Sequence, residues 1–128
     1  MVAVDSTFLI DILRGHRGAV QRLEELVSAR EPRFVSPPAV CEVLVGAHLG
    51  GAKELRAAEG LLSTFQRLEF DEEACQVAGS VGADLVRAGE ALAGPDLFIA
   101  AIALRHGQPL ITRDRAFARV RGLRVETY

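Results

Sequence analysis

Two rhythms of hydrophobic and polar positions run along the chain. Val2-Ala-Val4 is a short apolar run rich in β-branched residues, and Asp5-Ser6 ends it with residue types that cap helices. Phe8, Leu9, Ile12 and Leu13 then recur at helical spacing. The pattern predicts a strand over residues 2–5 running directly into a helix over 6–14, closed by Gly15. A helix over 18–30 carries Val20, Leu23 and Val27 on one face, Pro32 follows, and Phe34-Val35 forms a minimal second strand. Pro37 and Pro38 open a helix over 38–49 that stops at Gly50-Gly51. The next helix, 52–66, turns Leu55, Ala58, Leu62 and Phe65 inward, and Leu68–Phe70 reads as strand three. Asp71-Glu72-Glu73 gives the following helix an acidic first turn, with Ala74, Val77, Val81 and Leu85 as its buried stripe up to Gly89. Gly94-Pro95-Asp96 starts a helix to about His106, and its Leu97–Leu104 segment is continuously apolar. Residues 109–112 are strand four, Asp114 caps a turn through Phe117, and Leu123, Val125 and Thr127 alternate as strand five.

Strands alternating with helices imply a parallel sheet with helices on both faces, an α/β fold. The length of 128 residues, without repeats, linkers or low-complexity segments, argues for one domain. Apolar residues, at 49% of the chain, suffice for a packed core, yet no run is long enough to span a bilayer and the N-terminus lacks a signal-type segment. A cytoplasmic protein is expected. Cys41 and Cys75 lie far apart and read as reduced, buried small hydrophobes rather than a disulfide or zinc site. A net charge of −2 does not advertise a polyanion partner. Arg105, Arg113, Arg115, Arg119, Arg121 and Arg124 nevertheless cluster near the C-terminus, as a solvated basic face or a patch facing phosphates.

Four carboxylates occupy unusual places. Asp5 follows strand one, Glu42 lies mid-helix, Asp96 begins a helix and Asp114 follows strand four. Taken singly, Asp5, Asp96 and Asp114 read as helix or turn caps. Glu42 does not, because Ala39, Val40, Cys41, Val43, Leu44, Val45, Gly46 and Leu49 leave its helix without a polar side. An ionised carboxylate there needs an arginine partner, a metal or a crevice. In a doubly wound sheet with strand four beside strand one, Asp5 and Asp114 emerge together at the carboxyl edge, where ligands bind. The start of the Asp96 helix faces that edge too. Carboxylates gathered there repel one another unless a cation intervenes, and an oxygen-only set suits hard divalent ions, Mg²⁺ or Mn²⁺. His16, His48 and His106 sit near helix ends and read as surface or capping groups, and Asp11 reads as an exposed helix position.

Val-Asp-Ser-Thr at Asp5, Cys-Glu-Val-Leu-Val-Gly-Ala at Glu42, Pro-Asp-Leu-Phe-Ile-Ala-Ala-Ile-Ala at Asp96 and Leu-Ile-Thr-Arg-Asp-Arg-Ala-Phe at Asp114 resemble the PIN-domain nucleases. Within them, the chain is most similar to the small single-domain VapC-type toxins of prokaryotic toxin–antitoxin pairs. The resemblance covers essentially the whole chain, residues 1–128, as a single PIN domain. It implies a three-layer α/β/α sandwich around a five-stranded parallel sheet of order 3-2-1-4-5. It also implies a Mg²⁺- or Mn²⁺-dependent ribonuclease, a VapB-type antitoxin partner and a homodimer. By position, Asp5, Glu42, Asp96 and Asp114 form the catalytic and metal-binding acidic set, with Asp5 and Asp96 as its core. Ser6 and Thr112 match adjacent hydroxyl positions, and Arg113 and Arg115 are candidate phosphate contacts on RNA. One departure is Pro95, where many relatives carry a polar residue before the third acid.

Three other readings compete. A PIN-like RNA-binding subunit without catalysis keeps the fold but has no need of the complete acidic set. A housekeeping RNA-processing nuclease shares the chemistry and differs in genomic setting. A phospho-receiver domain is also doubly wound, but it wants paired acids after strand one and a lysine after the last-but-one strand. Here Asp5 stands alone, the only lysine is Lys53, and Arg113 follows strand four.

Overall fold

The central strand, β1 (Val2–Val4), is buried along its whole length and is flanked on both sides by other strands. Its β-branched residues suit that environment, because a strand covered on both faces needs no polar alternation. The structure is a computed structural model describing residues 1–128. Five strands, all parallel, lie in the order β3-β2-β1-β4-β5, as the resemblance implies: β2 (Arg33–Val35), β3 (Gln66–Arg67), β4 (Leu110–Ile111) and β5 (Val125–Glu126). The chain moves outward from β1 through β2 to β3, then returns to the opposite side of β1 as β4. The reversal makes the carboxyl edge between β1 and β4 the switch point of the sheet.

Six α-helices make the crossovers: α1 (Ser6–Leu13), α2 (Arg17–Ser28), α3 (Pro37–Gly50), α4 (Ala52–Leu62), α5 (Glu72–Arg87) and α6 (Gly94–Arg105). Asp5 caps α1, His16 caps α2 and Asp71 caps α5, each accepting from a backbone N–H three residues on. The His16 and Asp71 roles are the modest local ones expected of such residues. Pro95 lies in the first turn of α6, where its missing N–H costs nothing, so the departure at that position leaves the helix start intact. Gly51 ends α3 and opens α4 at φ 109°, a backbone conformation open to glycine alone, and this lets two helices meet without a linker. The 3₁₀ turn Arg115–Arg119 follows β4 and buries Phe117.

Several details depart from the sequence pattern, among them the end of α4 at Leu62 rather than at 66. Strand three is Gln66–Arg67 rather than 68–70. As an edge strand it needs only one partner, β2, and tolerates polar side chains, while Phe65 and Leu68 on either side carry the burial. On α2 the buried residues are Ala19 and Leu26, and Val27 is 50% exposed. On α3, Cys41, Val45 and Leu49 face outward along one side, Leu49 with 86% of its surface exposed, so that helix presents apolar side chains to its surroundings. Cys41 and Cys75 are free, as expected, but both are exposed rather than buried.

α5 packs along α6, and Gly82 marks a close approach between them: a Cβ there would lie 2.8 Å from Leu97 Cδ2. Leu97 follows Asp96, so this contact sets how the start of α6 seats. Replacing Gly82 by Val is expected to destabilise the protein by about 1–3 kcal/mol through overpacking. Urea unfolding of the two proteins measures it, and an unchanged midpoint would show that Leu97 yields freely.

Candidate active site

Parallel pairing brings the ends of β1 and β4 side by side, with Val4 opposite Ile111, so Asp5 and Thr112 leave the sheet as neighbours. Asp5 is 1% exposed. Its Oδ1 accepts from the Phe8 N–H at 2.8 Å, the cap of α1, and its Oδ2 accepts from the Thr112 hydroxyl. Thr112 Oγ1 also accepts from the Asp114 N–H at 2.9 Å. Asp114 in turn caps the 3₁₀ turn by accepting from the Ala116 N–H at 2.9 Å. A hydroxyl that donates to one acid and accepts from the backbone of another joins Asp5 and Asp114 into one unit. The cap readings of Asp5 and Asp114 hold, while Asp96 caps nothing because α6 begins at Gly94 with Ala93 at its cap position.

Ser6, one residue beyond Asp5, donates its hydroxyl to Glu42 Oε1 at 2.9 Å, which ties α1 to α3. Glu42 is therefore held by a hydroxyl, not by an arginine, and it sits half-buried beside the exposed apolar side of α3. Asp96, in the first turn of α6, is also half-buried. Burial pushes the Asp5 carboxyl up to about 6, helped by the charges of Asp96 and Asp114 and opposed by its two hydrogen bonds. Burial, then Glu42 and Asp114, raise Asp96 in the same way. Asp96 and Asp114 thus bear on Asp5, and Glu42 and Asp114 bear on Asp96, so every charge that raises these two acids is a carboxylate.

No three of these side chains converge tightly enough to enclose an ion unaided. Much of their inward capacity is already engaged by Thr112, Ser6 and backbone N–H groups. An oxygen-only set of mutually repelling carboxylates fits a hydrated divalent cation that retains several waters, as Mg²⁺ does.

The arginines divide. Arg113, expected at a phosphate, instead places Nε and Nη2 on Asp11, and Asp11 is not exposed but 4% accessible. The reason is the fork: a buried carboxylate accepts both parallel N–H groups of a guanidinium that reaches in from the next segment. Arg115 is exposed. Arg105 lies across Asp71 and Glu73, away from the cluster. Reasoning from the sequence passes over Asp11 and Tyr128, whose hydroxyl donates to Asp11 Oδ2 at 2.6 Å. A signal does exist, because Asp11 interrupts Phe8-Leu-Ile and Ile12-Leu13 much as Glu42 interrupts its own helix.

The profile of the PIN domain family matches residues 2–123. The chain belongs to the PIN-domain family. Among curated proteins, this PIN domain is 30% identical over 97 residues to a tRNA(fMet)-specific endonuclease VapC of Salmonella typhimurium, covering 73% of this chain and 74% of that one. A Shigella flexneri protein of the same description is 32% identical over the same length, with the same coverage. Among solved structures, a DNA-bound VapBC complex from Salmonella typhimurium matches 99% of this chain and 98% of its own, with a TM-score of 0.86 and 26% identity. A toxin–antitoxin complex from Klebsiella pneumoniae matches 99% and 97%, with a TM-score of 0.77 and 30% identity.

The raised Asp5 carboxyl has a consequence for stability. A carboxyl raised from 3.8 to about 6 disfavours the ionised folded state at neutral pH by about 3 kcal/mol. The unfolded chain loses this proton near pH 3.8 and the folded one near 6. The stabilising contribution is therefore complete below pH 3.8 and is lost as pH rises through 6. Asp11 and Asp71 are lowered, by Arg113 and by the Ala74 N–H respectively, so their contributions vary only at more acid pH. In EDTA, the Tm of the PIN domain is expected to fall between pH 4.5 and 7. Asp5→Asn, which keeps the shape, is expected to flatten that fall and to melt higher than wild type at pH 7. Thermal scans of both proteins across the range check this, and a wild-type Tm that rises toward pH 7 would contradict it.

Proposed function

We propose that this PIN domain is a divalent-cation-dependent ribonuclease, using Mg²⁺ or Mn²⁺, and the toxin of a toxin–antitoxin pair. The observation that carries the reading is the four-acid cluster at the switch point, in which Asp5 and Asp96 are held against their own charge. Family membership and endonuclease relatives support it. Such a cluster is destabilising on its own and becomes favourable when it faces a cation, which can then draw in an anionic phosphodiester.

Asp5 and Asp96 would hold the ion, directly or through water, and Glu42 and Asp114 would complete the set and orient the attacking water. A bound divalent ion acidifies water and neutralises charge that develops on the phosphate and the leaving oxygen. Thr112 and Ser6 fix the carboxylates they donate to, so the oxygens facing the substrate do not reorient during the reaction. Water attacks phosphorus and gives up a proton, the bond to the leaving oxygen breaks, and that oxygen takes up a proton, so that one water is added across the phosphodiester bond. Arg115, exposed just beyond Asp114, is placed to hold a flanking phosphate. Transfer RNA is the first substrate to test, since both curated relatives carry that activity in their names.

The antitoxin partner has a matching surface. A groove of about 290 Å³ between α1, α3 and α4 is lined by Ile10, Leu13, Val43, Ala47 and Ala57, with Arg14 and Glu54 at its polar margin. An amphipathic helix fits such a groove. The outward apolar side of α3 suits contact with a second copy. No helix is long and apolar enough to cross a membrane, and we place the protein's action in the cytoplasm, among its RNA targets.

Purified protein freed of antitoxin is expected to cleave tRNA with Mg²⁺ or Mn²⁺ and to lose cleavage in EDTA. Asp5→Asn and Asp96→Asn are each expected to lower kcat by about 100-fold or more, in line with removal of a charge-stabilising group. Gel assays of end-labelled tRNA read this, and wild-type cleavage by the double variant would refute the assignment. Ala57→Trp is expected to abolish inhibition by the antitoxin while cleavage persists. A titration of antitoxin into the same assay reads that difference.

A further inference from the structure

Asp11 is a second buried carboxylate on α1, outside the acidic cluster and opposite to it in character. Its Oδ1 accepts from Arg113 Nη2 at 3.0 Å, its Oδ2 accepts from Arg113 Nε, and the Tyr128 hydroxyl adds a third bond at 2.6 Å. The Tyr128 ring stands edge-on to Phe8, with centroids 5.0 Å apart, and edge-on to His16 at 5.7 Å. The His16 ring is itself fixed as the cap of α2. The Asp11–Arg113 pair is thus gripped by three elements: α1, the segment leaving β4, and the chain after β5.

The energetics do not explain why the pair exists. Arg113 keeps 51% of its side chain exposed while Asp11 keeps 6%. Ion pairs open to water contribute about 0–1 kcal/mol, and burying a carboxylate consumes much of that. What such a fork does well is fix geometry, because a guanidinium held by two parallel bonds cannot rotate. The residues beside Arg113 show what is being fixed. Thr112 donates to Asp5, and Asp114 is bonded through its N–H to Thr112. The same helix, α1, therefore grips the same three-residue segment twice, at Asp5–Thr112 and at Asp11–Arg113. The Thr112 N–H donates to the Glu126 carbonyl and fixes the start of the segment, and the fork at Arg113 holds its middle, where no backbone ladder reaches.

We propose that Asp11, Arg113 and Tyr128 are positioning residues that clamp the Thr112–Asp114 segment to α1, so that Asp5 and Asp114 face one divalent cation. The clamp rests on the reading of the acidic cluster as a cation site, and it assigns Arg113 to geometry rather than to RNA.

The test is calorimetric titration with Mn²⁺ alone, followed by RNA kinetics at several Mn²⁺ concentrations, on Asp5→Asn, Asp11→Asn, Arg113→Lys and Tyr128→Phe. Asp11→Asn is expected to weaken Mn²⁺ binding by ~10-fold or more, the usual effect of losing a group that orients ligands. Tyr128→Phe keeps the ring packing and loses one bond, and is expected to weaken Mn²⁺ binding about 2- to 5-fold, a smaller share of the same effect. Arg113→Lys keeps the charge without the fork, and is expected to behave like Asp11→Asn. For all three, high Mn²⁺ is expected to recover kcat while KM for RNA stays near wild type, which a general loss of fold does not produce. Unchanged Mn²⁺ affinity in folded Asp11→Asn and Tyr128→Phe overturns the clamp. A raised KM for RNA in Arg113→Lys with wild-type Mn²⁺ affinity also overturns it and returns Arg113 to a phosphate. Wild-type protein that binds no Mn²⁺, or binds it equally as Asp5→Asn, overturns the cation-site reading and the clamp with it.

Discussion

Burial of an ionisable group at the end of the central strand is the constraint on which this fold turns. Asp5 has almost no contact with water, and two other carboxylates press on it. Its oxygens are nevertheless occupied, one by the start of α1 and one by Thr112. Those bonds oppose the burial and let the carboxylate persist where the sheet, α1 and the β4 exit meet. The remaining acids are arranged around this point by elements with little sequence in common: α3 brings Glu42, α6 brings Asp96 and the turn after β4 brings Asp114.

Two carboxylates six positions apart on one stretch of chain experience opposite environments. Asp5 is raised by burial among like charges, whereas Asp11 is lowered by an arginine fork. The acid raised by its neighbours sits at the switch point beside β4, and the acid matched by a guanidinium and a phenol hydroxyl ties α1 to the segment after β4. Hydroxyls mediate between the two roles, since Thr112 and Ser6 orient acids without adding charge.

Much of this architecture is legible in the amino-acid pattern, for physical reasons that differ from place to place. The caps at Asp5 and Asp114 carry a local signature, a short polar side chain just ahead of a helix or turn, and both hold, whereas Asp96 reads as a cap but lies inside the first turn of α6, because Gly94 and Pro95 already start that helix. The convergence of Asp5 with Asp114 follows from the rule for doubly wound sheets, and the full strand order comes from the family resemblance. Strand three escapes the pattern because an edge strand of Gln66-Arg67 leaves no hydrophobic trace, while nearby Leu68 does. Val45 and Leu49 look interior because a pattern reports apolarity and not which side meets a neighbour. Asp11 looks solvated because its partners lie 102 and 117 residues away, beyond any local signal.

The bond between Thr112 and Asp5 spans 107 positions of chain. During synthesis, β1 leaves the ribosome well before its β4 neighbour, and the hydroxyl that orients Asp5 arrives 107 residues after it. A sheet whose middle strand comes first cannot close early, since long-range pairing has to wait for its partner. A nuclease of the kind proposed would then be born disarmed. Its acids stay scattered on the nascent chain until β4 has been made and can pair with β1.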